Sequence, residues 1–448
     1  MGRSPSKACI LGALSRALDL VEGQPQGHAL RSARIALKIG EVYGLNTDQL
    51  DNLFYAAVLK DSGCSNNSVR IQKIFGGDEF LSKRAVKFID WTSPVESIKF
   101  ALKNTEAGQP LGAKLRRMAS NLGPPGRIMN EVTEARCTRG AAIAKMLDFD
   151  DEVAGAVQHL DEHWDGKGSP VGLKGTDIPI HARILCLTQT LEVFFTAYGL
   201  SEAVEMAKAR SGAWFDPELV DAFLSVSTEA EFWTDLQETS NEDFIERELP
   251  GLKFSAVGAD IDAICEAFAM IVDAKSSFTS EHSTRVTNYA VELAQWFEFD
   301  RDSITTIRRA SLLHDIGKLG VSTGILEKPG RLDTDEFDRV KLHPMFSYEI
   351  LNRIPTFESI AAIASAHHER LDGKGYWRGL TAEELPLEVR IVTTSDVFDA
   401  LTAKRPYRDA MPPDEALAIM EKDVNTAFDP ACLDALRHCF VESKSIAA

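Results

Sequence analysis

The chain repeats itself, and this limits its folds more than any other feature. Gly27-His28-Ala29-Leu30-Arg31 resembles Glu281-His282-Ser283-Thr284-Arg285. Lys60-Asp61 follows His28 by 32 residues, just as His314-Asp315 follows His282. Asp165-Gly166-Lys167-Gly168 matches Asp372-Gly373-Lys374-Gly375, and an arginine stands 18 residues after each aspartate, at Arg183 and Arg390. Phe215-Asp216-Pro217 then mirrors Phe428-Asp429-Pro430. Two preserved spacings and four local motifs imply a tandem duplication over 10–228 and 260–442. The expected division is a first domain at 1–228, an acidic linker or connecting helix at 229–259 with a solvated face, and a second domain at 260–448.

The expected fold class is all-α, as two tandem helical bundles. Val286, Tyr289, Ala290, Leu293, Ala294 and Phe297 recur at helical spacing and should bury one stripe. Ile304, Ile307, Ala310 and Leu313 form a second helix, with Gly317 as its expected stop. Ile360, Ile363, Ala364 and His367 form a third, leading into the Asp372-Gly373 turn. Pro412-Pro413-Asp414 precedes a helix-like EALAIMEKDV, and strand-like alternation is scarce.

Composition narrows the partners. A chain of 448 residues has room for more than one core. Its 49 Lys and Arg against 67 Asp and Glu give a formal charge of −18, which argues against polymeric nucleic acid. A local basic pocket can still hold a small anion. No apolar run approaches the ~18 residues of a membrane span. The apolar patch near the start is broken by Arg16 and Asp19, unlike a signal peptide. Gly2 and Ser6 fit a myristoylation pattern short enough to arise by chance. Seven scattered cysteines without a CxxC pair suggest neither a disulfide framework nor a zinc ribbon. No membrane association and a reducing, cytoplasmic setting are expected.

Chemistry gathers in the second repeat. Five of the ten histidines fall into one pattern there with two aspartates: His282, His314-Asp315, His343, His367-His368 and Asp396. Imidazole and carboxylate suit iron, manganese or zinc. The set exceeds what one tetrahedral zinc requires, which suggests two ions sharing a carboxylate. Two ions about 3.5–4 Å apart can grip the attacking and leaving oxygens of an in-line phosphoryl displacement. Any one of these histidines alone reads better as a core or helix-capping residue, but the set does not, because buried histidine is costly unless paired. Lys318 could neutralise a phosphate oxygen or simply end a helix. Arg405 and Arg408 could hold a phosphate or stack on a base, or be ordinary surface charge.

These residues resemble the HD-GYP family of the HD phosphohydrolase superfamily. LLHDIGKLGVSTGILEKPGRL, KLHP, AHHERLDGKGYW and TTSDVFDALTAKRPYR carry its signature in order across most of 260–442. The resemblance implies an all-α fold, two or three transition-metal ions, usually iron or manganese, and hydrolysis of cyclic dinucleotides. It implies His282, His314, Asp315, His343, His367, His368 and Asp396 as metal ligands, and Asp315 and Lys318 as catalytic residues. Tyr376, Arg405 and Arg408 match positions that contact substrate. The family's Gly-Tyr-Pro reads Gly375-Tyr376-Trp377 here, which weighs against its loop-mediated contact with diguanylate cyclase domains and leaves Trp377 for base stacking or packing. Three-metal members carry an acidic residue where Phe278 stands, so two divalent ions are expected. The expected activity is hydrolysis of cyclic di-GMP or 3′,3′-cyclic GMP-AMP to a linear dinucleotide. A broader nucleotide phosphohydrolase and a non-hydrolysing sensor or scaffold are the alternatives.

The first repeat looks like a degenerate copy. His28 remains, but Lys60 replaces the doublet histidine and Cys64 replaces the lysine. Leu160-Asp161 stand for His367-His368, Gln189 stands for Asp396, and Arg136 or Cys137 falls near the His343 position. The expected role is regulatory or dimerising, with a homo-oligomer as one form, or a structural partner for the catalytic half. Gly76-Gly77-Asp78-Glu79-Phe80 spells the cyclase GGDEF signature, but lacks the strands around it that a cyclase needs. A turn followed by an acidic helix start is expected instead.

Overall fold

A computed structural model describes residues 5–105, 110, 112, 114, 116–117, 125–238, 244, 258–276, 281–404 and 409–442. Phe278, Arg405 and Arg408 lie outside the described residues. The chain forms two compact units, residues 1–263 with 322–324, and 264–321 with 325–448. The described residues contain helices and isolated bridges, with no strand. All seven cysteines are free thiols. Among the described residues, no helix is long and apolar enough to cross a membrane.

In the first unit, the helix Lys7–Val21 buries Leu11, Leu14 and Leu18. Its Asp19 is buried too, and accepts hydrogen bonds from the backbone N–H groups of Gly27 and Ala29. That places a polar brace where a buried carboxylate needs one. Helices His28–Tyr43 and Thr47–Leu59 follow, the latter opened by an Asn46–Gln49 capping box. Pro125–Met146, Asp151–His159 and Ile180–Tyr198 complete the inner bundle. GGDEF joins two short helices: Gly76 takes a left-handed conformation after Ser68–Phe75, and Asp78 caps Glu79–Val86.

The second unit repeats this order. His282–Trp296 and Arg301–Leu313 pair as the apolar spacing predicts, with Asp300 capping the second through the Ser303 N–H. Glu358–Ser365 and Leu387–Thr402 follow, and Pro413–Met420 forms after the Pro-Pro-Asp signal. The helix Arg301–Leu313 ends before the expected stop, with His314 as its C-cap and Gly317 inside the next short 3-10 turn. Gly317 has a different purpose. A Cβ there would lie 1.9 Å from the His343 carbonyl oxygen, so the glycine permits a backbone-to-backbone approach. Gly63 makes the same approach to the Arg136 carbonyl, also 1.9 Å from a built Cβ. Arg136, rather than Cys137, therefore stands at the His343 position.

Both copies share their polar bracing. Glu162 accepts from the backbone N–H groups of Val171, Gly172 and Leu173, and Glu369 accepts from Arg378, Gly379 and Leu380. Arg183 pairs with Asp216 at 2.5 Å and Arg390 with Asp429 at 2.7 Å, each aspartate also capping its own helix. These are the arginines and Phe-Asp-Pro motifs whose spacing marked the repeat.

Within 229–259, the described helix Ala230–Glu238 departs from a purely solvated connector. It packs into the first unit: Trp233 is 5% exposed, meets Phe195 at a tilt and Phe223 edge-on, and donates its indole N–H to the Val226 carbonyl. Arg34 pairs with Asp235 alongside. The acidic composition hid one apolar stripe. Replacing Trp233 by alanine should destabilise the first unit by about 3–5 kcal/mol, the usual cost of emptying an aromatic core site. Denaturant unfolding measures this, and a loss under about 1 kcal/mol would return the helix to the surface.

Candidate metal centre

Helix ends in the second unit aim its histidines inward. His314 caps Arg301–Leu313, His343 opens His343–Leu351, and His367 follows the end of Glu358–Ser365. His282 opens His282–Trp296, and Asp396 lies inside Leu387–Thr402. Asp315 sits between them, 1% exposed. Its Oδ2 lies 3.6 Å from His282 Nε2 and 3.4 Å from His314 Nε2. Its Oδ1 lies 3.4 Å from His343 Nε2 and 3.6 Å from His367 Nε2. Asp396 Oδ1 joins the first side, 3.3 Å from His282 Nε2 and 3.8 Å from His314 Nε2. His368 joins the second, its ring 4.0 Å from that of His367 and 5.0 Å from that of His343.

The outer ring nitrogens are engaged. His314 Nδ1 bonds to the Ser311 carbonyl at 2.7 Å, His343 Nδ1 to Val340 at 2.7 Å, and His367 Nδ1 to Ala364 at 2.6 Å. A carbonyl only accepts, so each Nδ1 carries a proton and each Nε2 is the ring nitrogen turned to the interior. His343 Nε2 and His367 Nε2 then face each other at 3.2 Å as two acceptors. His314 Nε2 and Asp315 Oδ1 are buried without a hydrogen-bond partner. Such converging, unpaired acceptors fit divalent cations and little else.

Charge divides the same way. Burial pushes His343 down to about 3 and also lowers His367 and His368, which keeps them neutral, as metal-ligating imidazoles must be. Burial opposes charge on His282 as well, but hydrogen bonds to Asp396 and Asp399 outweigh it and lift His282 to about 10. Burial disfavours ionised Asp315 and Asp396, yet the neighbouring imidazoles, and for Asp315 also Lys318, hold both well below the usual carboxylate range. Lys318 Nζ sits 2.5 Å from Asp315 Oδ2 with its side chain 22% exposed, at the open edge of the cluster.

Tyr376 lies against His368, ring centroids 4.8 Å apart, and its backbone N–H donates to the His368 carbonyl. Trp377 packs on Tyr348 at 5.3 Å, with the Arg378 guanidinium over its face. These contacts give Trp377 a packing role. Arg405 and Arg408 fall on residues the structure does not describe.

Several supporting residues escaped the sequence reading. Asp399 accepts from His282 Nδ1 at 2.7 Å and is gripped by Arg285 through Nε and Nη2. Ser347 accepts from the Gly317 N–H and donates to the His314 carbonyl, tying two turns together. Asp273 accepts from Ser283 beside His282. Asp399 lies three residues after Asp396, and Arg285 three after His282, so each shares a helical face with a candidate ligand.

The first unit rebuilds this site with cations. Lys60 pairs with Asp61, Arg136 with Asp161, and Lys83 with Glu22 at 3.2 Å. Gln189 donates to Asp161 Oδ1 at 3.3 Å and accepts from Lys87 at 3.1 Å. Glu22, Asp61 and Cys64 do bring donor atoms within 4.8 Å of one another. Lys60 and Lys83 already neutralise the two carboxylates, however, and burial raises the Cys64 thiol far above its usual range. His28 retains its outer partner, Glu192, which also binds Arg31. The second-unit trio of His282, Asp399 and Arg285 thus has a structural counterpart without its metal donors.

Comparison with known proteins agrees with this architecture. The HD domain family model matches residues 114–219 and 266–432, one stretch in each repeat. A 3′3′-cGAMP-specific phosphodiesterase 3 of Vibrio cholerae is 41% identical over 95% of this chain and 92% of its own. The cyclic di-GMP phosphodiesterase response regulator RpfG of Xanthomonas campestris pv. campestris is 40% identical over 38% of this chain and 45% of its own. The crystal structure of a V. cholerae cyclic GMP-AMP specific phosphodiesterase (V-cGAP3) superposes with a TM-score of 0.67 at 38% identity, covering 97% of both chains. The paired HD matches, the full-length relative and the signature residues of the second repeat establish that this chain belongs to the HD-GYP family of HD-domain proteins.

Proposed function

We propose that the second unit is a metal-dependent phosphodiesterase that opens a cyclic dinucleotide to a linear one, with 3′,3′-cyclic GMP-AMP as its preferred substrate. The observation that carries this reading is Asp315, whose two oxygens face separate sets of inward-pointing imidazoles. His282, His314, Asp315 and Asp396 would hold one ion, and Asp315, His343, His367 and His368 the other, with iron or manganese suited to both. The substrate preference is supported by the relative that matches both repeats, since RpfG matches well under half of this chain. The absence of a proline after Tyr376 favours action without the family's cyclase contact, and the missing carboxylate at Phe278 favours two ions over three.

When bound, the ions supply Lewis acidity and activate water for in-line attack at phosphorus. The chain's own residues do the rest. Asp315 holds a negative charge between the two donor sets and pulls Lys318 to the rim of the cluster. Lys318 Nζ is then placed to offset charge building on a phosphate oxygen. Tyr376 presents an aromatic face beside His368 for the substrate's base or ribose. The family resemblance adds Arg405 and Arg408, outside the described residues, as two further cations for the substrate. Asp399 fixes the His282 ring through Nδ1, so that Nε2 points at the site.

Reconstitution with Fe(II) or Mn(II), followed by product analysis on each cyclic dinucleotide, tests the reading. The expected outcome is a linear product, a higher kcat/KM for 3′,3′-cyclic GMP-AMP, and metal content near two per chain. No turnover of any cyclic dinucleotide with metal bound overturns the activity, and content near three overturns the ion count. Replacing His314 and Asp315 by alanine should abolish both turnover and metal binding. Lys60→Met with Asp61→Asn should preserve both; if turnover disappears, the roles of the two units are reversed.

Two single substitutions separate holding from chemistry. Lys318→Met should cut kcat about 10²–10³-fold while leaving metal content intact, as expected for removing one charge stabiliser. Asp399→Ala should instead weaken metal affinity about 10–100-fold, measured by chelator competition. Unchanged affinity would show that Asp399 supports only the fold.

A further inference from the structure

A cavity of about 130 Å³ lies within the first unit where the degenerate cluster meets a segment of its own. The chain from Gly63 to Arg136 is far longer than its counterpart from Gly317 to His343. Ile71, Phe75, Val86 and Phe100, all from that longer stretch, wall the cavity on one side. Trp91, also from it, forms an aromatic corner with Trp214 and His163: centroids lie 5.8 Å apart to Trp214 and 4.9 Å to His163. Lys87, Arg136, Gln189 and Asp161 give the same cavity a charged and polar part of its lining.

That polar lining carries an incompletely compensated charge. Arg136 is matched by Asp161 and Lys83 by Glu22. Lys87 has only the neutral Gln189 amide oxygen, with no carboxylate within ion-pair distance among the described residues. Burial, then the like charge of Arg136, works against its protonation. Other polar atoms are also unanswered. His163 is 1% exposed and its Nδ1 has no partner; Asn67, equally buried, leaves Oδ1 unpaired; and Arg136 Nε donates to nothing. All three residues line the cavity. Buried polar atoms are rarely left unpaired, and these three belong to residues that line the cavity alongside Trp91.

We infer that this cavity binds a small organic anion in which a planar ring is joined to a single anionic head, a phosphate or carboxylate. The head meets Lys87 and Arg136, where the catalytic copy carries metal donors instead. The ring lies along Trp91 and the apolar wall, and His163 and Asn67 supply polar contacts to its edge. The first unit thereby becomes a ligand-sensing copy of the fold. The inference stands apart from the reading of the second unit, because none of its residues belongs to that site.

Calorimetry on the full, metal-loaded chain tests it, with GMP and 2-naphthoate as the two sources of this chemistry. Guanosine and 2-naphthylmethanol are their neutral counterparts. At least one anion should saturate and bind at least tenfold more tightly than its neutral counterpart. Lys87→Met should erase that difference, and thermal melting should show the variant folded. Gln189→Glu, which sets a carboxylate against Lys87, should weaken the anion similarly if Lys87→Met fails to fold. Saturation that is lost in Lys87→Met supports the site; by GMP it identifies a nucleotide source, and by naphthoate a carboxylate source. Saturation by neither, equal affinity for the neutral compounds, or unchanged binding in Lys87→Met overturns it.

Discussion

The Asp315 carboxylate is the point on which the second unit's site depends. It is almost fully buried and turns each oxygen toward a different pair of imidazole nitrogens. Three of those imidazoles have already spent their Nδ1 protons on backbone carbonyls. A folded chain cannot satisfy that many converging lone pairs from its own donors. Lys318 answers only one oxygen. The arrangement becomes favourable when positive charge occupies the interior, and the helix caps that fix the imidazoles hold that unfavourable crowding in place.

Much of this was legible in the sequence because ligand spacing and helix periodicity agree. His314-Asp315 and His367-His368 fall where an amphipathic helix runs out, so the doublets leave the helix and enter the interior. Supporting residues were harder to read. Asp399 and Arg285 look like ordinary charges on polar helix faces until the fold brings them to His282. Ser347 acts through two backbone groups and leaves no pattern at all. The stop expected at Gly317 misread a close-approach glycine as a helix end. Composition misled at 229–259, where Trp233 and Leu236 make a buried stripe within an acidic run.

The two units separate framework from chemistry. The framework is retained in both: the glutamate that clasps a glycine-containing loop, the arginine that holds a helix cap, and the glycine that lets two backbones touch. The chemistry has been exchanged, with Lys60 and Arg136 standing where the second unit has His314 and His343. In one unit buried carboxylates face converging imidazole lone pairs; in the other they face ammonium and guanidinium groups from the chain itself. Such self-neutralised pairs cost desolvation and need good geometry to break even. Their presence explains how the first unit keeps a polar interior whose carboxylates are neutralised by its own cations.

Gly317 carries a mechanical consequence. Because its backbone rests directly on that of His343, the distance between the turn bearing His314-Asp315 and the helix bearing His343 has no side-chain cushion. The cage is therefore stiff along that direction. Ions of different radius have to be met by rotation of imidazoles and carboxylates, while the spacing of the two backbones stays constant.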